Sequence, residues 1–187
     1  MIFHITPYLS GDIGKGINDT ISVLPEDSWI CLRDIDTMFL LPEQPAWLES
    51  IVRSNPDFDV LGASCNRLGS TYQLFNNERS EDPNILHHIE IAKRAHLEWG
   101  NSIEEVPTDA ILAGFFLLFR KSLWNEIPFE ERSIQFDIIF SKALHANNKR
   151  LGLLRGLYLF HTYRLGNDDP RKAISHLLHC QDMNKII

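Results

Sequence analysis

Short apolar runs that are typical of β-strands alternate with amphipathic helical patterns along most of this chain. The strand-like runs cover residues 2–8, 28–33, 58–63, 111–119 and 151–160. The helical patterns cover residues 17–24, 45–55, 85–99 and 133–147. Strands that alternate with helices form a parallel or mostly parallel sheet with helices on its faces. The sequence therefore predicts an α/β fold, in which a mostly parallel sheet carries helices on both faces.

The length and composition limit the classes of protein to consider. The chain has 187 residues, which fits one compact domain over 1–187, with a C-terminal helical extension over 165–187. A net charge of −7, without Lys/Arg runs, argues against a nucleic-acid partner. We find no long uncharged apolar stretch and no signal peptide, so we expect a cytoplasmic protein without a transmembrane segment. Peripheral contact with a membrane stays open, as does the oligomeric state.

The tripeptide Asp34-Ile-Asp36 follows directly after an apolar strand-like run. Two carboxylates at the end of a buried strand are costly unless a cation meets them. In an open α/β sheet, the carboxyl ends of the strands are where ligands and their metals bind. Hard divalent cations on a diphosphate use one or two carboxylates and several waters. The alternative is a solvated acid pair or a helix N-cap, because so short a motif recurs by chance.

Four further motifs follow a consistent order along the chain. They are Gly14-Lys-Gly-Ile-Asn18, the segment from Ala113 to Trp124, Phe136-Asp137 and Tyr158-Leu-Phe-His161. With the Asp-x-Asp between the first and second of them, this order resembles a glycosyltransferase of the GT-A fold. It is most similar to the family 2 enzymes and to relatives of the polypeptide GalNAc-transferases, over about residues 1–165.

This resemblance implies a divalent metal, Mn²⁺ or Mg²⁺, on the diphosphate of a nucleotide sugar. Asp36 would bind the metal directly, and Asp34 would contact either the metal or the ribose. His161 matches the place of a late histidine that is a further metal ligand in that family. Taken alone, His161 also fits a core histidine that hydrogen-bonds to the backbone.

The resemblance also implies roles for four other residues. Asp137 matches the position of the catalytic base of inverting enzymes, although the preceding Glu is absent, and it equally fits an acid that stabilises a helix N-terminus. Gly114 would leave room for the donor sugar or the acceptor, or would allow close packing of a helix on the sheet. Lys15 would neutralise phosphate and Asn18 would contact the base or ribose. A solvated turn that caps the next helix is the alternative for both.

We therefore expect a metal-dependent, inverting glycosyltransferase that moves a sugar from a UDP-sugar, or a GDP-sugar, to a glycan or lipid-linked acceptor. Only 33 residues precede Asp34, fewer than in family 2 enzymes, so we expect a GT-A-like fold with a shortened N-terminal part. Two alternatives stay open. One is a catalytically inactive GT-A-like module that binds a glycan or a partner, and the other is an unrelated Mg²⁺-dependent α/β phosphate enzyme.

Three histidines, His87, His88 and His96, lie on the predicted helix 85–99. No Glu completes a metalloprotease motif with them. We interpret these histidines as surface and interface residues.

Overall fold

The computed structural model describes residues 1–54, 57–69 and 71–162 and shows an α/β fold in which helices flank a mixed seven-stranded sheet. The strands are β1 (Ile2–Ile5), β2 (Trp29–Arg33), β3 (Thr37–Met38), β4 (Val60–Cys65), β5 (Glu104–Glu105), β6 (Phe116–Arg120) and β7 (Leu151–His161). The helices are α1 (Ile13–Ser22), α2 (Gln44–Ser54), α3 (Ile85–Trp99), α4 (Lys121–Glu126) and α5 (Phe136–Ala146), with a 3₁₀ turn at Phe75–Asn77. The predicted C-terminal helical extension, 165–187, lies outside the described residues.

The prediction of a mostly parallel sheet is wrong. The strand order is β1-β2-β6-β4-β7-β3, and β5 also pairs with β7. The strands β1, β2, β4 and β7 run in one direction, whereas β6, β3 and β5 pair with their neighbours in the antiparallel sense. The chain enters β6 from the carboxyl end of β2, with Phe116 opposite Arg33, so β6 runs back between two strands of the main direction.

Alternation along the central strands places two cores on opposite faces of the sheet, as expected for period-two side chains. In β2, Trp29 and Cys31 pack in the core that contains α2, whereas Ile30 and Leu32 pack in the core that contains α1 and α5. A third cluster joins α3 to Tyr158 and Phe160 of β7. The helices on both faces therefore confirm that part of the predicted fold.

Two of the element boundaries that differ from prediction shape the functional site. The helix α1 begins at Ile13 rather than at residue 17, because the Asp12 side chain accepts a hydrogen bond from the Lys15 N–H and caps it. The strand predicted over 111–119 begins only at Phe116. Its first part, 111–115, is irregular and meets the carboxyl end of β2, where the Asp34 N–H donates to the Phe115 carbonyl.

None of the described helices is long and apolar enough to cross a bilayer.

Candidate metal and catalytic site

The two carboxylates of the Asp-x-Asp are placed by a tight turn between β2 and β3. The Thr37 N–H donates to the Asp34 carbonyl at 3.1 Å, which closes the turn, and the Asp34 N–H donates to the Phe115 carbonyl at 3.1 Å. Ile35, between the two acids, is exposed. Because the turn interrupts the alternation of the strand, both carboxylates reach the same site.

His161 lies beside these acids because β3 pairs with the end of β7. Thr37 is opposite His161 in the register, and the Thr162 N–H donates to the Asp36 carbonyl at 3.0 Å. The His161 Nε2 atom is 3.3 Å from Asp36 Oδ1 and 3.9 Å from Asp34 Oδ2. The short strand β3, which the sequence did not predict, thus joins two motifs that are far apart in the chain.

The segment that follows β4 fixes the orientation of the His161 ring. Nδ1 of His161 donates to the Arg67 carbonyl at 3.0 Å, and the His161 backbone N–H donates to Asn66 Oδ1 at 2.7 Å. The Phe115 ring stacks on the imidazole, with centroids 5.2 Å apart. A histidine that donates through Nδ1 presents Nε2 to its other neighbours, which here are Asp34 and Asp36.

Asp34, Asp36 and His161 could together hold a divalent metal ion. One ligand atom from each residue lies within 4.8 Å of the other two. Two ligands at right angles about an ion that is about 2.1 Å from each are about 3 Å apart, close to the observed Asp36–His161 distance. Two carboxylates and one imidazole suit Mn²⁺ well, because Mn²⁺ accepts carboxylate oxygen and also binds nitrogen. The donor set therefore fits the metal that the sequence predicts.

The electrostatics of the two acids differ. Burial raises the pKa of Asp34 to about 6; the charges of Asp36 and Asp137 add to this rise, and His161 opposes it. The Asp34 side chain is still 48% exposed to solvent. Its pKa rises because the protein walls of the concave site displace much of the surrounding water. For Asp36, burial also acts upwards, but the hydrogen bond and charge of His161 outweigh it and lower the pKa.

A cleft of about 410 Å³ opens beside this group and is lined in part by the predicted catalytic base. Asp137 lines it from the first turn of α5, Gly114 from the segment before β6, and Asp34 and His161 from the strand ends. We call this space the acid cleft. Its remaining lining residues are Ile13, Leu68, Gly69, Ile111, Ala113, Phe115, Ile134, Gln135, Phe136 and Ile138.

Asp137 has both a structural contact and a place in the acid cleft. Its Oδ2 accepts the Gly114 N–H at 2.9 Å and its Oδ1 accepts the Ile138 N–H at 2.8 Å. Burial raises the pKa of Asp137, and these backbone hydrogen bonds act against the rise. The carboxylate holds the start of α5 against the segment before β6 and faces the cleft at the same time.

Gly114 is needed for packing, which was one of its two predicted roles. A Cβ at Gly114 would lie 2.4 Å from the Phe136 ring and 3.3 Å from Asp137 Cβ. Any larger residue would therefore push the start of α5 away. Gly114 also lines the acid cleft, so the structure is compatible with both roles.

The two predicted phosphate and nucleotide contacts on α1 are not brought to the acid cleft. Lys15 pairs with Asp19 one turn along the helix, at 2.6 Å. The Asn18 amide donates to the Phe129 carbonyl, and its oxygen accepts hydrogen bonds from the Trp124 indole and the Phe129 N–H. Both side chains are engaged in the fold, and their roles in binding a nucleotide remain predictions.

Asn66 and Arg67, which hold His161, were not predicted from the sequence. Asn66 and Arg67 are buried polar residues directly after β4, and the Arg67 guanidinium pairs with Glu81. Polar residues at the end of a buried strand were the available signal, the same signal that pointed to Asp34 and Asp36. At Asn66 this signal is weak, because residues 64–82 are polar throughout and have little periodicity.

The prediction for the histidines of α3 is partly wrong. His87 is exposed, and His96 stacks on Trp47 between α3 and α2, as an interface residue does. His88 belongs to the core instead, because its side chain is fully buried and packs on Tyr158 and Phe160 of β7.

Comparisons with protein-family models and with curated proteins give no relative from which a function could be transferred. No family model matches the sequence, and no curated protein matches it. A function for this chain therefore has to be inferred from its own residues.

Proposed function

We propose that this protein is a divalent-metal-dependent glycosyltransferase of the GT-A type. It would transfer a sugar from a nucleotide-diphosphate sugar, with UDP favoured over GDP, to a hydroxyl group of a glycan or lipid-linked acceptor. The order of motifs in the sequence supports the proposal. The grouping of Asp34, Asp36 and His161 at the carboxyl ends of strands also supports it, as does the position of Asp137 across the cleft that Asp34 and His161 line.

The position of the His161 ring is the observation that carries the proposal. Nδ1 donates to a carbonyl, so in the neutral ring the lone pair of Nε2 faces the carboxylates of Asp34 and Asp36. A lone pair and a carboxylate oxygen at 3.3 Å repel each other unless a proton or a metal cation lies between them. Metal binding would relieve this repulsion and would also neutralise the acid pair.

Asp34, Asp36 and His161 would hold Mn²⁺ or Mg²⁺, and the bound metal would offset the negative charge that develops on the departing nucleoside diphosphate. The Arg67 carbonyl and the Phe115 ring would keep the imidazole in position. The buried surroundings of His161 require no rearrangement to present Nε2 to the ion.

Asp137 would act as the general base of an inverting reaction. It would accept the proton of the acceptor hydroxyl while that oxygen forms a bond to the anomeric carbon and the bond from this carbon to the diphosphate breaks. The nucleoside diphosphate leaves with the electron pair. The raised pKa of Asp137 makes its carboxylate a better base than an ordinary aspartate.

Thermal unfolding with nucleotide and metal tests the proposal. A ligand that binds only the folded state stabilises it by about 2.7 kcal/mol at a concentration 100 times its Kd. We expect UDP with Mn²⁺ to raise the Tm of the wild type more than either component alone. Asp36→Asn should remove this joint effect, whereas Asp109→Asn, at an exposed acid, should retain it.

The results separate the three readings of the site. If no nucleoside diphosphate stabilises the wild type in the presence of Mn²⁺, the donor site is refuted. Joint stabilisation without transfer or hydrolysis of any nucleotide sugar would indicate the inactive binding module. Joint stabilisation by many unrelated phosphate compounds would indicate a generic phosphate enzyme.

A further inference from the structure

The acid cleft has an aliphatic wall on the side of Asp137. Ile111, Ile134 and Ile138 all line it, and each is partly buried. Among the described residues, these three isoleucines lie outside the three core clusters of the fold. Their side chains therefore contribute to the surface of the cleft rather than to the packing of the sheet.

The position of these isoleucines assigns them to the acceptor side of the reaction. Ile134 and Ile138 flank Asp137 in sequence at the start of α5, and Ile111 comes from the segment that Asp137 holds through Gly114. The metal-binding residues Asp34 and His161 belong to the strand ends instead. If Asp137 takes the proton of the acceptor, the isoleucines surround the part of the acceptor next to that hydroxyl.

The backbone of this wall has few donors left for a sugar. The Leu112 N–H donates to Ser141 Oγ at 3.1 Å, the Ala113 N–H to Gln73 Oε1 at 2.7 Å and the Gly114 N–H to Asp137 Oδ2 at 2.9 Å. Three successive donors are thus used within the protein. A hydroxyl group placed against this backbone would find these three donors already used, whereas an alkyl group would gain by leaving water.

We infer that the acceptor carries an aliphatic chain beside its reacting hydroxyl, as an alkyl glycoside or a lipid-linked sugar does, and that Ile111, Ile134 and Ile138 select this chain. This inference rests on the proposed function, since it takes Asp137 as the base. It narrows the acceptor from any glycan to one with an apolar substituent.

Binding of alkyl glucosides to the wild-type protein tests the inference without any reaction. Methyl, hexyl and octyl β-D-glucopyranosides, each below its micelle concentration, share one sugar and differ only in chain length. An apolar pocket distinguishes ligands that differ by one methylene by about 10-fold or more. We therefore expect the affinity, measured by calorimetry, to increase at least about 10-fold from the methyl to the octyl compound.

Two matched variants locate the binding site. Ile134→Asn should lower the affinity for octyl glucoside about 10-fold and leave methyl glucoside unchanged. Leu97→Asn removes an apolar side chain that is 88% exposed on α3, outside the cleft, and should bind as the wild type does. Circular dichroism would verify that Ile134→Asn is folded, and Ile134→Ala, with a smaller loss expected, serves as a second variant.

Affinity that does not depend on chain length, or an equal loss in Leu97→Asn and Ile134→Asn, would overturn the inference, as would failure of all three glucosides to bind. Joint stabilisation by UDP and Mn²⁺ is a separate measurement that reports on the metal site. Absence of this stabilisation in the wild type would refute the proposed function. Joint stabilisation without selectivity for chain length would refute only the aliphatic acceptor.

Discussion

Two buried histidines, His161 and His88, show how the same residue type can serve a site or a core. His161 belongs to β7 and is 2% exposed, whereas His88 packs against β7 from α3 and is 0% exposed. The His88 Nε2–H donates to the Asp82 carbonyl at 2.7 Å, and the Tyr158 hydroxyl lies 2.7 Å from Nδ1 and donates to it. In His161, Nδ1 faces a carbonyl and Nε2 faces two carboxylates.

Burial alone therefore does not identify a functional histidine. A ring whose two nitrogens meet one donor and one acceptor is satisfied as a neutral side chain. A ring whose second nitrogen meets two acids is stabilised there by a proton or a metal ion. Substitutions at one of these two histidines should therefore spare the region of the other.

The largest expected effect concerns Asp137, which has both a structural and a cleft contact. Asp137→Asn should reduce turnover about 10²-fold or more, because the amide cannot accept the proton of the acceptor. The affinity for UDP and Mn²⁺ should change little. Steady-state kinetics and calorimetry measure the two quantities. Wild-type turnover would leave Asp137 as a residue that only holds the start of α5.

For the satisfied histidine, we expect loss of stability without loss of metal. His88→Phe leaves the Tyr158 hydroxyl and the Asp82 carbonyl without their partner, which should lower the free energy of unfolding by about 1–3 kcal/mol. Adding Tyr158→Phe should restore part of this loss, since both partners are then apolar. Urea unfolding measures the change, and weakened Mn²⁺ binding in a folded His88→Phe variant would contradict the distinction.

The reverse pattern is expected for His161. His161→Ala should weaken Mn²⁺ binding about 10-fold or more, because removing a residue that only orients a metal ligand already costs about 10-fold in affinity. Affinity of the wild type should decrease as the pH falls, because protons compete with the metal for the imidazole and the carboxylates. Mn²⁺ titration followed by electron paramagnetic resonance measures both. Unchanged affinity in His161→Ala would place His161 in the same class as His88.

The smallest expected effect is the pH dependence of stability that Asp34 causes in the metal-free protein. Its pKa is raised from 3.8 to about 6 in the folded state, so the folded protein binds more protons than the unfolded one between these values. Stability should therefore fall as the pH rises from about 4 to about 6.

Asp34→Asn should remove this slope and raise the stability at neutral pH by about 0.2–1 kcal/mol, the range for partly exposed charge pairs. Urea unfolding of both proteins across this pH range measures the effect, with Asp109→Asn as the control. A slope that persists in Asp34→Asn would assign the pH dependence to another group.

Local patterns predicted much of the fold and the acids of the site. The predicted helix 85–99 has the observed bounds of α3, and β2 and β7 are within one residue of prediction. Asp34 was predicted because it follows an apolar strand, where a polar side chain meets either solvent or a ligand. This signal is local, since it depends only on neighbours in sequence, whereas the role of His161 was predicted from the resemblance.

What the sequence did not predict depends on contacts between distant segments. The short strand β3 has only two residues, and its pairing with β7 cannot be read from its own pattern. The irregular 111–115 is as apolar as a strand, yet its N–H groups bond to side chains of Ser141, Gln73 and Asp137. The resemblance predicted Asn18 as a nucleotide contact, and its hydrogen bond to the Phe129 carbonyl could not be predicted because Phe129 is remote in the chain.

A crystal structure with Mn²⁺ and UDP, recorded with anomalous scattering from manganese, tests the central claim most directly. We predict an anomalous peak among Asp34, Asp36 and His161, with Nε2 of His161 within about 2.0–2.4 Å of the metal, slightly longer than the bond to zinc. The diphosphate should contact the same ion. A nucleotide-bound structure in which manganese lies elsewhere, or in which His161 turns away from Asp36, would contradict the account.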